Sequence, residues 1–177
     1  MIRFLPLIVA VALVTGCANP SIERVKADAL AKANISTIFV PRFEGNPNFV
    51  EESTDFFVTA LEARVKVRVI QGGPLRNESD DIRSGSNLVP LEVALAAGRA
   101  RGADAVIVGK VTSYSNGMTL NGFSTVRLIS AKDGEVLATF HRPSGLLFGY
   151  SEHQGVMAAV NRTAEDIAKV LLEAARH

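Results

Sequence analysis

The chain has 177 residues and a nearly balanced charge, with 19 Lys and Arg against 18 Asp and Glu. The sequence has no basic stripe, no arginine-rich helical pattern and no tryptophan, so no nucleic-acid partner is expected. Apolar residues make up 47% of the chain, which is enough to form a folded core. A single cysteine, Cys17, excludes an intrachain disulfide and a multi-cysteine metal site.

The first residues have the features of a secretory signal. Arg3 supplies a positive charge, an apolar run extends from Phe4 to Val14, and small residues precede Cys17. The run is shorter than the roughly 20 apolar residues that a bilayer-spanning helix needs. A transmembrane anchor, or an ordinary secretory signal with a chance cysteine, would be the alternative interpretation.

The four residues Val-Thr-Gly-Cys at positions 14–17 resemble a bacterial lipobox. By that resemblance, residues 1–16 are a lipoprotein signal peptide and Cys17 becomes the first mature residue. It would carry a covalent diacylglyceryl group and an N-acyl chain such as palmitate. Stable anchoring takes more than one acyl chain, and a lipoprotein cysteine carries two or three.

The residues after Cys17 predict where the protein is held. Lipoproteins retained at the inner membrane typically have Asp after the cysteine, whereas this chain has Ala18. The resemblance therefore implies the periplasmic face of the outer membrane. Residues 17–20 would form a short lipidated tether, and residues 21–177 a single periplasmic domain.

The pattern of residues 21–177 predicts one α/β domain with the element order α-β-α-β-α-β-β-β-α. Helical periodicity and capping residues favour helices at 21–33, 48–61, 91–101 and 153–175. Alternating or continuous apolar runs favour strands at 35–43, 66–70, 103–114, 119–131 and 135–142. The first three strands are joined by helical crossovers and should run parallel, and the last two add an antiparallel meander. We therefore expect a mixed five-stranded sheet.

No pattern of catalytic or metal-binding residues stands out. The three histidines, His141, His153 and His177, lie in no recognisable serine-nucleophile motif. The carboxylates of Glu51 and Glu52 are typical of a first helical turn, where the helix dipole favours negative charge. We expect no enzyme activity, no metal, no cofactor other than the covalent lipid, and no small-molecule substrate.

Two segments are candidate partner contacts. The first is an apolar loop between glycines at 145 and 149, which is either an exposed contact or a cap on the core. The second is the long polar loop 72–87, which is either a docking loop or a disordered surface loop. The candidate contact residues are Leu146, Leu147, Phe148 and Tyr150 in the first loop, and Arg76, Asp80, Asp81 and Arg83 in the second.

Three segments together resemble a known group of envelope domains. They are TIFVPRF at 37–43, ALAAGRARGADAVIVGKVTSY at 94–114 and VRLISAKDGEVLA at 126–138. In this order they resemble the periplasmic domains of the curli-secretion lipoprotein CsgG, the N-terminal domain of TolB and the penicillin-binding-protein activator LpoB. The resemblance implies an α/β fold similar to anticodon-binding domains, and action through protein contacts.

The chain also departs from that group in ways that narrow the expected function. It has tight turns at Asn116 and Asp133 where the curli channel inserts long hairpins, and it lacks the long tether of the synthase activator. We expect an outer-membrane-anchored accessory or assembly module that binds envelope proteins of a secretion, surface-appendage or cell-wall machinery. The alternatives are a self-associating ring-forming secretion component and an envelope hydrolase with an unrecognised site.

Overall fold

The computed structural model describes residues 21–75, 90–115, 120–145 and 151–176. In these residues one mixed sheet of seven strands has helices on both faces. The strands are β1 (Ile22–Val25), β2 (Thr37–Val40), β3 (Glu44–Gly45), β4 (Arg68–Gln71), β5 (Ala105–Ser115), β6 (Leu120–Ser130) and β7 (Val136–Pro143). The helices are α1 (Ala27–Ala33), α2 (Val50–Glu62), α3 (Leu91–Arg99) and α4 (Glu152–Ala174).

The order of the strands confirms the expected mixture of parallel and antiparallel pairing. The main path of the sheet is β1-β7-β6-β5-β2-β4, and the short β3 pairs with β5. Strand β2 runs parallel to both β4 and β5, as helical crossovers require. Strands β5, β6 and β7 form the antiparallel meander. The apolar strand β5 lies in the interior of the sheet, which explains its almost unbroken apolar sequence.

The expected five-stranded sheet is wrong, because β1 and β3 were not predicted. Residues Ile22–Val25 were expected to begin the first helix, but they pair antiparallel with Ala138–His141 of β7. The helix begins only at Ala27. Strand β3 is two residues long and exists through its pairing with Lys110 and Val111 of β5. With these two strands, the description as an anticodon-binding-like domain fits only in part.

The larger part of the core lies between the sheet and helices α2 and α4. The rings of Phe43 and Phe57 pack with their centroids 5.1 Å apart, and Phe57 and Ile167 are fully buried. Helix α4 begins with a capping box, in which Ser151 Oγ accepts the Gln154 N–H and Gln154 Oε1 accepts the Ser151 N–H. In the part of the chain that the structure describes, no helix combines the length and apolar character needed to cross a bilayer.

Helix α3 covers only one part of the opposite sheet face. Ala94 and Leu95 pack there against Phe39, Val106 and Ile129. A Cβ atom at Gly98 would lie 2.3 Å from Val106 Cγ2, so the glycine lets the helix approach the strand closely. The rest of this face, formed by β6, β7 and β1, has no described helix packed on it.

Candidate interaction surface

The lipidation site and the candidate partner contacts that the sequence predicted lie outside the described residues. Cys17 and the signal segment precede Ser21, the first described residue. The apolar-loop residues Leu146, Leu147, Phe148 and Tyr150, and the polar-loop residues Arg76, Asp80, Asp81 and Arg83, fall in the gaps at 146–150 and 76–89. The lipid anchor and both candidate contacts therefore stay predictions.

The described sheet ends in two unlike edges. Strand β1 forms one edge and pairs only with β7, and strand β4 forms the other and pairs only with β2 in the described residues. An edge strand presents backbone N–H and C=O groups that another chain can bind. Because β1 is antiparallel to its neighbour and β4 is parallel to its own, the two ends of the sheet offer different surfaces.

The uncovered sheet face carries a shallow groove of about 560 Å³, which we call the basic groove. Its central row runs across three strands, from Arg127 on β6 through Thr139 on β7 to Arg24 on β1. The neighbouring row holds Thr125, His141 and Ile22. The groove is lined by Ile22, Arg24, Lys26, Thr125, Arg127, Val136, Thr139 and His141.

The charge of the basic groove comes mainly from two arginines. Arg24 and Arg127 are exposed, and neither is paired with an acidic side chain among the residues that the structure describes. Neighbouring strands are about 5 Å apart, so the Cα atoms of two arginines separated by one strand lie about 10 Å apart. Lys26 adds a third cation, although Glu135 contacts its Nζ at 2.8 Å. This arrangement suits a carboxylate-bearing ligand, because arginine binds carboxylates through paired hydrogen bonds.

The floor of the groove is held in place by side-chain contacts. Thr125 Oγ1 and His141 Nδ1 are hydrogen-bonded at 2.8 Å. The His141 ring stacks on Phe123, with centroids 5.7 Å apart and planes 11° apart. These contacts fix the ring beside the two arginines.

Sequence reasoning missed the basic groove. Arg24 and Arg127 are about one hundred positions apart in the sequence. They lie on one surface only because β1 pairs with β7, which in turn pairs with β6. The sequence contains one local indication of this surface. The alternation of Phe123, Thr125 and Arg127 with the apolar Val126 and Leu128 predicts that Arg127 lies on the outward face of its strand. The sequence has no basic stripe, but the tertiary structure assembles a basic patch.

Outside the basic groove, polar side chains of the described residues contact one another in groups of two or three. His153 Nε2 contacts Glu52 Oε1 at 2.8 Å on the surface. Ser113 Oγ donates to Glu152, and Asn46 Nδ2 donates to Ser113 at 3.1 Å. The described residues contain no group of three or more histidine, cysteine or acidic side chains placed to hold a metal ion.

A second cleft, of about 950 Å³, lies at the end of the sheet where β2 and β5 begin. Asp104 borders it and accepts three hydrogen bonds at Oδ2, from the Ser36 hydroxyl at 2.7 Å and from the backbone N–H groups of Ser36 and Thr37, each at 2.9 Å. These bonds, with the Ser36 hydroxyl contributing most, lower the pKa of Asp104 from its ordinary value. The carboxylate thereby ties the start of β5 to the loop before β2.

Comparison with known proteins gives likenesses of structure. No protein-family model matches the chain, and no curated protein matches it. Two PelC dodecamer structures from Paraburkholderia phytofirmans have TM-scores of 0.56 and 0.54, at 17% and 12% identity. In both comparisons the matched region is 86% of this chain, and it is 96% and 98% of the two PelC chains respectively.

Two further structures overlap less well. The LpoB C-terminal domain from Salmonella enterica has a TM-score of 0.46 at 14% identity, covering 66% of this chain and 90% of that chain. Lipoprotein GNA1162 from Neisseria meningitidis has a TM-score of 0.44 at 15% identity, covering 75% of this chain and 96% of that chain.

The likeness to PelC defines the fold of the domain, which is a mixed α/β fold. At these identities the likeness is one of fold alone. The resemblance to LpoB, to CsgG and to TolB that the sequence indicated stays a prediction.

Proposed function

We propose that this chain is a lipid-anchored envelope protein that acts by binding proteins, and that its domain binds further copies of itself. The observation that carries the proposal is the pair of unlike edges, β1 and β4, at opposite ends of the sheet formed by the described residues. The fold gives further support, because the PelC structures that share it are dodecamers.

The two unlike edges favour a particular kind of assembly. A contact between the β1 end of one copy and the β4 end of another uses two different surfaces. Such a head-to-tail contact repeats from copy to copy, and it closes into a ring when the rotation between copies allows. This is the ring-forming alternative that the sequence left open, and we place it first.

The anchor is the second part of the proposal. Residues 1–16 would be removed as a signal peptide, and Cys17 would carry the diacylglyceryl and N-acyl groups that hold the domain at the periplasmic face of the outer membrane. The lipid would be the only bound group, and the domain would act without a catalytic step. Metabolic labelling with palmitate, compared between the wild-type chain and Cys17→Ala, tests the anchor. Equal labelling of both chains would contradict it.

The oligomeric state tests the self-association. The full-length lipoprotein, solubilised in mild detergent, should give one discrete high oligomer by native mass spectrometry. A protein that stays monomeric at all concentrations would refute self-association.

The accessory role predicted from the sequence is the second candidate. The exposed charge of the basic groove favours it, since a charged surface suits a protein partner as well as a second copy. In-cell crosslinking of the intact chain, with Cys17→Ala as the control, separates the candidates. Recovery of one other envelope protein supports the accessory role, and recovery of the chain alone supports self-association.

A further inference from the structure

We infer that the basic groove binds the acidic outer face of α2 from a second copy of this chain. This inference rests on the proposed self-association and names the two surfaces that would form its contact. Both surfaces belong to the described residues, so neither depends on the signal segment or on the two loops in the gaps.

Helix α2 has an outer face that is rich in acidic residues. Its sequence, VEESTDFFVTALE, contains four carboxylates and neither lysine nor arginine. The four acidic residues, all exposed, are Glu51, Glu52, Asp55 and Glu62. Phe56, on the same helix, leaves 40% of its surface exposed.

The acidic face and the basic groove are complementary in charge. Glu51 and Asp55 are four residues apart, so their side chains lie about 6 Å apart on the helix. The Cα atoms of Arg24 and Arg127 lie about 10 Å apart. Their side chains are long, so each guanidinium can reach one carboxylate and donate hydrogen bonds to it. Two arginines without acidic partners in the described residues would thus gain partners on binding.

The apolar parts of the two surfaces match as well. Phe56 lies at the border of the acidic face, one helical turn after Glu52. Ile22, which is 42% exposed, lies at the border of the groove. Phe56 packed on Ile22 would add an apolar contact beside the charged pairs, and buried aromatic side chains commonly contribute much of the stability of an interface.

The positions of the two surfaces require different copies. Helix α2 packs beside α4 and against β4 and β5, on the face of the sheet that holds the main core. The basic groove lies on the opposite face, at the β1 end. One copy cannot place its own α2 in its own groove. Each copy therefore offers one helix and one groove, which is the head-to-tail relation that a ring needs.

Charge reversal tests the contact. One variant of the full-length lipoprotein carries Arg24→Glu and Arg127→Glu, and a second carries Glu51→Lys and Asp55→Lys. A control carries Lys169→Glu and Arg176→Glu, two exposed positions on and after α4. We expect each of the first two variants to associate roughly 100-fold more weakly or worse, since like charges facing each other at an interface are strongly unfavourable. The control should assemble as the wild type does.

Mixing the two defective variants gives the decisive measurement. The native α2 of the first variant fits the native groove of the second, and the reversed helix of the second fits the reversed groove of the first. An equimolar mixture should therefore regain the oligomer by native mass spectrometry, although neither variant assembles alone. A variant that failed to fold would not be rescued in this way.

Three results would overturn the inference. If the wild type assembles and both reversed variants assemble equally well, the contact lies elsewhere and self-association stands. If the wild type is monomeric, the proposed self-association fails as well. If the groove variant keeps its oligomer but loses binding to phosphatidylglycerol vesicles, the groove binds anionic lipid instead.

Discussion

Gly122 lies where strand β6 meets helix α4 with no room for a side chain. A Cβ atom at this position would be 2.3 Å from the backbone carbon of Gly155 and 2.3 Å from the backbone nitrogen of Val156. Backbone atoms cannot move aside as the end of a flexible side chain can. Gly122→Ala must therefore push the helix away from the strand.

The expected loss of stability follows from that geometry. Overpacking a core typically costs 1–3 kcal/mol, and a clash with backbone places Gly122→Ala near the upper end, at about 3 kcal/mol. For a domain of this size, that corresponds to a fall in Tm of roughly 6–12 °C.

Two other glycines serve as matched controls for Gly122→Ala. A Cβ atom at Gly155 would lie 3.2 Å from the Gly122 nitrogen, a milder contact that a gain in helix propensity of up to about 1 kcal/mol offsets. A Cβ atom at Gly73 would meet no atom of the described residues within 4 Å. Gly155→Ala should be close to neutral, and Gly73→Ala should change stability by less than about 0.5 kcal/mol.

Urea unfolding of the purified lipoprotein, followed by far-ultraviolet circular dichroism, measures the free energy of unfolding of all three variants. The order of stability should be Gly73→Ala, then Gly155→Ala, then Gly122→Ala well below them. A free energy for Gly122→Ala within about 0.5 kcal/mol of the wild type would refute the packing argument, since surface substitutions cause changes of that size.

Three further variants test other contacts. The lowered pKa of Asp104 means that its stabilising effect is complete above its ordinary value of 3.8 and is lost as the pH falls through the lowered pKa. Asp104→Asn should therefore cost about 1 kcal/mol at pH 7, and this difference should shrink below about pH 4 in melting curves. Ser53 Oγ is buried without a hydrogen-bond partner in the described residues, so Ser53→Ala should raise the free energy of unfolding by about 0.5–1 kcal/mol, measured by urea unfolding. Arg142 Nε donates to Asp166 Oδ2 and its Nη2 to Glu23 Oε2, each at 2.6 Å, so Arg142→Met should cost about 2 kcal/mol and speed hydrogen exchange in β1. Unchanged exchange in β1 would contradict that link.

The sequence by itself predicted the elements that local signals define. Pro90 and Gly102 bracket α3, and an unbroken apolar run follows in β5. The expected helix 91–101 and strand 103–114 therefore agree with the structure to within a few residues. The lipobox at Cys17 is also a purely local pattern, so the predicted anchor needs no tertiary information.

Only the tertiary structure decided the two edges of the sheet and the surface between them. Ile22–Val25 has no strong preference of its own and becomes a strand because β7 offers it a free edge more than one hundred residues later. The same pairing places Arg24 across one strand from Arg127 and leaves both on the part of a sheet face that no described helix covers. Backbone pairing over such sequence separations depends on the whole fold, which is why the sequence predicted a binding protein but did not predict the basic groove.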